Sequence, residues 1–187
     1  MKTISKAILS VLILIAAISS QTVSANSSNK LSQGALQIPD IHTAIIAGDT
    51  EKVKQLIDSG ADLEAIEPGS GSTPLITAAL LNRVEIAKML LDAGASINAK
   101  NYDGSTALLT AAFFCHTDMV KLLLDRGADK SIRNSAGATA LETISGPFEM
   151  VKPIYDYMQQ LYASLGLKID QEQIQKLRPE IAKMLQD

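Results

Sequence analysis

The chain holds one cysteine, no tryptophan, three phenylalanines and four tyrosines among its 187 residues. A lone cysteine makes no internal disulfide, and no CxxC or Cys/His cluster is present. A disulfide scaffold and a structural zinc site are therefore not expected. Scarce aromatics alongside 47% apolar residues favour helices of Ala, Leu and Ile over a large β-sandwich. Basic residues are in no surplus, with 17 Lys and Arg against 20 Asp and Glu, a net charge of −3. The clustered basic face that nucleic-acid binding requires thus has no support.

Only the N-terminus carries a long apolar run. Residues 1–25 comprise "MKTISK", the apolar "AILSVLILIAAI", and the small, polar "SSQTVSA". This layout of charge, apolar core and small residues is that of a secretory signal peptide. Val23 and Ala25 fall at the −3 and −1 positions for cleavage before Asn26. The run is shorter than the roughly 20 residues that span a bilayer, so a membrane anchor is disfavoured. Loss of Lys2 and Lys6 would leave 15 basic and 20 acidic residues, a mature charge of −5. The expected location is the periplasm or the extracellular space, with no membrane attachment after cleavage. Residues 26–37, "NSSNKLSQGALQ", are polar and small and read as a flexible lead-in.

From residue 38 the chain repeats itself. Ser72–Gly104 and Ser105–Gly137 align without gaps and are identical at 14 of 33 positions. An earlier copy, "DIHTAIIAGDTEKVKQLIDSGADLEA", is displaced by 34 residues because "IEPGSGS" carries one extra. A fourth copy opens with "ATALETISG" and then drifts. Each unit has the same physical grammar. Thr73, Thr106 and Thr139 stand at helix N-caps, where a hydroxyl satisfies an orphan amide, and Pro74 takes the first helical position. A short Ala-rich helix is followed by a longer amphipathic one, "EIAKMLLDAG" or "DMVKLLLDRG". Gly94 and Gly127 stand where a left-handed residue ends that helix.

A 33-residue unit of the form T-P-L…A-A…L-L…G-A resembles the ankyrin repeat over residues 38–146. The resemblance implies an all-α solenoid of helix–turn–helix repeats with β-hairpin tips, each repeat stabilised by its neighbours. It also implies a non-enzymatic module that binds another protein, read as an exported bacterial type. Its partner would be an envelope protein, such as an enzyme that it supports, protects or inhibits. The other reading is a secreted effector that binds a host protein. Residues 147–187 depart from the pattern. Gly146-Pro147 shortens the inner helix, and Pro153 interrupts or restarts the outer one. Ile174, Leu177, Ile181, Met184 and Leu185 give the last segment one apolar face. That face suits a cap on the final repeat, or a helix offered to a partner.

The stretch "FFCHTD" (113–118) invites a reading as nucleophile, base and orienter. Alignment dissolves it. Cys115 aligns with Asn82 and Gly48, a turn slot that favours a left-handed backbone. His116 matches the family's turn histidine, and His42 that of its T-P-L-H motif. No catalytic residue is expected, nor any metal or cofactor. "EPGSGS" lacks the lysine and flanking elements of a phosphate loop and reads as a lengthened tip. The resemblance places partner contacts at the tips and inner-helix ends. On this chain these are Ile46, Leu80, Leu81, Phe113 and Phe114 at helix ends, with Tyr102, Asp103 and Ser135 at tips. Leu80, Leu81, Phe113 and Phe114 recur one repeat apart and predict an apolar stripe with Tyr102 beside it, free for a partner or covered by a terminal segment. A monomer is expected.

Overall fold

The computed structural model describes residues 40–163 and 169–186, so the expected signal peptide and lead-in lie outside the described residues. The fold is all-helical. Inner helices α1 (Asp40–Ala47), α3 (Pro74–Leu80), α5 (Ala107–Phe113) and α7 (Ala140–Ser145) alternate with outer helices α2 (Thr50–Asp58), α4 (Val84–Asp92) and α6 (Thr117–Asp125). Two longer helices follow, α8 (Phe148–Ala163) and α9 (Gln171–Gln186). Inner helices stack on one another in chain order, and each outer helix packs on its own inner helix and its outer neighbour.

The signals read from sequence act locally as expected. Thr73 and Thr106 accept the amides of Ile76 and Leu109, each at 3.4 Å. Thr139 forms a full capping box with Glu142. Ala78, Ala79, Ala111 and Ala112 are fully buried and let the inner helices meet closely. The large core residues Ile86, Leu90, Met119 and Leu123 come from the outer helices. No strand forms among the described residues. The tips are hairpin-like loops, closed by Asn101 N–H to Ser105 O and Asn134 N–H to Ala138 O, both at 3.0 Å. Tip joins tip through Tyr102 N–H to Ser70 O at 2.9 Å and Ser135 N–H to Asp103 O at 2.7 Å.

The fourth repeat departs from the other three. Its inner helix α7 ends at Ser145, and Gly146 is extended (φ −74°). Helix α8 then runs unbroken through Pro153, where the sequence pattern predicts an interruption. The outer-helix position beside α6 and along α7 is filled by α9. Sequence explains this: "RPEIAKMLQD" (178–187) matches "RVEIAKMLLD" (83–92) at eight of ten positions, differing only at Pro179 and Gln186. Burial follows the match. Ile181 (0% exposed) stands where Ile86 (1%) and Met119 (0%) stand, and Leu185 (4%) where Leu90 and Leu123 (both 0%) stand. The first two turns of α9, residues 171–177, precede the part that matches an outer helix and lie along the turn of the third repeat.

Candidate functional site

The helix-to-helix turns form the edge opposite the tips, because each inner helix starts at a tip and ends at a turn. At this edge Gly48, Asn82 and Cys115 are left-handed, with φ of 71°, 51° and 56°. Only Gly takes this conformation freely, so Cys115 stands in a glycine-like slot, as its alignment predicts. Its thiol is buried, and burial pushes its pKa up to about 11. A thiol so disfavoured as thiolate is a poor nucleophile.

His116 is the N-cap residue of α6, and its Nδ1–H donates to Ala79 O in the preceding repeat at 2.9 Å. His42 Nε2–H donates to Ala65 O at 2.8 Å, and its Nδ1 accepts from Thr77 Oγ1 at 2.9 Å. Burial holds both imidazoles below the ordinary histidine range, partly offset by these backbone acceptors. Both histidines thus tie repeats together as neutral rings, and the apparent triad is a joint in the scaffold. Arg83 has the matching role one repeat earlier, its Nη2 donating to Ile46 O at 3.2 Å.

The expected partner-contact residues separate into two groups. Tyr102 (65% exposed), half-buried Asp103 and exposed Ser135 lie on the tip edge. Half-buried Ile46, Leu80, Leu81 and Phe113 and buried Phe114 lie on the turn edge. The seven-residue helix α5 sets about 10 Å between Tyr102 and the phenylalanines. Tyr102 therefore does not join the apolar stripe. Its ring covers Gly71, where an added Cβ would meet it at 2.4 Å.

The stripe itself is partly covered from the C-terminal side. Phe113 stacks on Tyr155 of α8 with centroids 5.1 Å apart, and Tyr155 stacks on Phe148 at 5.8 Å. The Tyr155 hydroxyl donates to Phe113 O. Phe113 meets Phe114 edge-on at 5.3 Å, and Phe114 stacks on His116 at 5.7 Å. Such pairs contribute about 0.5–1.5 kcal/mol each beyond burial. This run of rings binds the C-terminal helices to the third repeat. Arg178, at the position of Arg83 and His116, donates to Gly146 O at 2.8 Å and lies over Phe148 at 5.9 Å. Its other guanidinium nitrogen, Nη1, is buried and has no hydrogen-bond partner among the described residues.

What stays open is a groove of about 330 Å³ between the turns of repeats two and three and the N-terminal half of α9. Leu80, Leu81, Phe114, Ile174 and Leu177 make its apolar wall, and Asp118 and Asp170 stand on its rim, with no lysine or arginine among the described lining residues. Sequence reasoning missed α9's share in this wall. The signal was present in Ile174 and Leu177, within about one turn upstream of the outer-helix match.

The family profile "Ankyrin repeats (3 copies)" matches residues 41–134, 94 of the 187 residues. The B-cell lymphoma 3 protein homolog of Mus musculus is 39% identical over 62 residues, covering 33% of this chain and 14% of that protein. Inversin of Gallus gallus is 36% identical over 72 residues, covering 38% of this chain and 6% of that protein. The matched stretch is thus a small part of either relative. The crystal structure of the ankyrin repeat domain of Bcl-3 superposes with a TM-score of 0.54 at 34% identity, over 62% of this chain and 50% of that one. Ankyrin repeats are protein–protein interaction modules, and with this period, these caps and turns, and this profile match, the chain belongs to the ankyrin-repeat family.

Proposed function

We propose that this chain is a non-enzymatic docking protein, exported to the bacterial periplasm, that binds an envelope protein through its turn-edge groove. The groove carries the proposal: an apolar wall of Leu80, Leu81, Phe114, Ile174 and Leu177 under an acidic rim. Such a site suits a segment whose apolar anchor is flanked by Lys or Arg, with the anchor desolvated inside and the charges facing Asp118 and Asp170. The N-terminal pattern of residues 1–25 supports export.

The test uses the full chain in its own cells, with a photoreactive residue at Leu81 or, as control, at exposed Lys88 on the outer face of α4. One envelope protein crosslinked from position 81 and not from 88 is the expected result. Leu81→Ser is the companion variant, because half-buried Leu81 can change with little loss of folding. Phe114 is 9% exposed, so Phe114→Ser would lower stability and blur the readout. Equal crosslinking from both positions, or undiminished capture by Leu81→Ser, would contradict the proposal.

A further inference from the structure

Two segments of this chain carry outer-helix sequence after the last inner helix, and only one outer position exists to receive them. Helix α9 matches α4 over residues 178–187. Helix α8 matches α6: "EMVKPIYD" (149–156) against "DMVKLLLD" (118–125) shares Met, Val, Lys and the closing Asp, with Glu for Asp and Ile for Leu. It also follows α7 directly, where an outer helix follows in each earlier repeat. Yet its core-type residues are out of place. Met119 and Val120 are fully buried, whereas Met150 is 70% exposed and Val151 is only half-buried against the core. Among the described side chains of α8, Ile154 (4%) and Tyr155 (0%) are buried, with Tyr155 stacked on Phe113 and Phe148.

Neither segment is an ideal occupant. In α9, Pro179 stands where α4 begins, a favoured first helical position, but the helix continues upstream through it. The amide that proline lacks there would have served that continuation. Arg178 is buried, and among the described residues its Nη1 has no hydrogen-bond partner, a costly arrangement. In α8, Pro153 stands at the position of Leu122, a half-buried position on α6. Each candidate thus carries one proline defect.

We infer that α8 and α9 are alternative occupants of the fourth outer-helix position, and that their exchange controls access to the turn edge. With α9 in place, Tyr155 covers Phe113, and Ile174 and Leu177 wall the groove. With α8 in place, Tyr155 leaves Phe113, α9 is released, and the Leu80–Leu81–Phe114 face opens along its length. The exchange stands on sequence and burial alone. Its consequence for binding rests on the docking function proposed above.

Methionine oxidation reads the exchange without a partner. The full-length protein is treated with hydrogen peroxide and its methionine sulfoxides are followed by mass spectrometry. In the parent protein, Met150 should oxidise fastest, half-buried Met184 more slowly and fully buried Met119 slowest. Ile181→Asp removes α9 from the outer position by placing a charge at a fully buried site. The expected result is a crossover: Met150 slows to near the rate of Met119, and Met184 rises to the former rate of Met150. If Met150 stays fast in this variant, whether or not Met184 changes, the exchange does not occur. Should Met119 also lose protection, the stack itself has opened. Ile181→Ala, which leaves a cavity and no charge, is then read by the same rule. Failure of crosslinking at Leu81 would leave this result untouched, so the two proposals fall separately.

Discussion

Repeats one to three and the region after Thr139 are built from the same parts with different certainty. In the first three, each core position is specified once and filled once. Ile86 and Leu90, and Met119 and Leu123, lie on outer helices that each pack between two others. In the fourth, two helices compete, a repeat lies on one side only, and Ala182 is half-exposed where Ala87 and Val120 are fully buried. Nearest-neighbour stabilisation explains the contrast: a solenoid repeat has no core of its own, so the last one is always the least determined.

The largest test of that contrast removes the same side chain in both regions. Leu123→Ala should cost about 2–5 kcal/mol, the range for truncating a fully buried leucine. Leu185→Ala, at the equivalent position in α9, should cost clearly less in urea denaturation. Equal losses would show that the fourth repeat is as firmly held as the third.

A second comparison concerns the turns. Gly48 has φ of 71°, and an added Cβ would lie 2.9 Å from the Arg83 guanidinium carbon. Gly146 has φ of −74° and open space around it. Gly48→Ala should lower stability by about 1–2 kcal/mol, whereas Gly146→Ala should leave the melting curve almost unchanged. A tolerated Gly48→Ala would mean that the left-handed turn is not required.

The smallest effect is acid sensitivity. Burial depresses the folded pKa of His42 and His116, so the unfolded chain takes up protons first as pH falls. Stability from these rings is complete above about pH 6.5, the unfolded histidine value, and is lost progressively below it. The fourth repeat has Arg178, not a histidine, at the position of His116. Hydrogen exchange at pH 5.5 against 7.5 should therefore show α1 and α3 loosening while α9 holds. Unchanged urea midpoints between these pH values would contradict the sign.

Much of the regular region is legible in the residues themselves. The period places the helices, the threonines place their starts, and alignment with Gly48 and Asn82 accounts for the positive φ of Cys115. The same alignment disposes of the apparent triad. The C-terminal region is less legible for a physical reason. An amphipathic pattern says that a helix has a face to bury, not which neighbour it meets. Phe113 and Phe114 read as a stripe from their spacing, but Tyr155, some forty residues later, decides how much of it remains open. The repeat pattern groups Tyr102 with them because it runs along the chain and omits the helix length that separates tip from turn. The match of residues 178–187 to 83–92 is visible in the sequence, but it lies outside the 33-residue register.

The most direct test of the account is hydrogen exchange on the unmodified protein near neutral pH. It asks which helix holds the fourth outer position. The account predicts that the amides of residues 181–185 exchange nearly as slowly as those of 119–123, and those of 149–152 markedly faster. Slow exchange at 149–152 with fast exchange at 181–185 would contradict it.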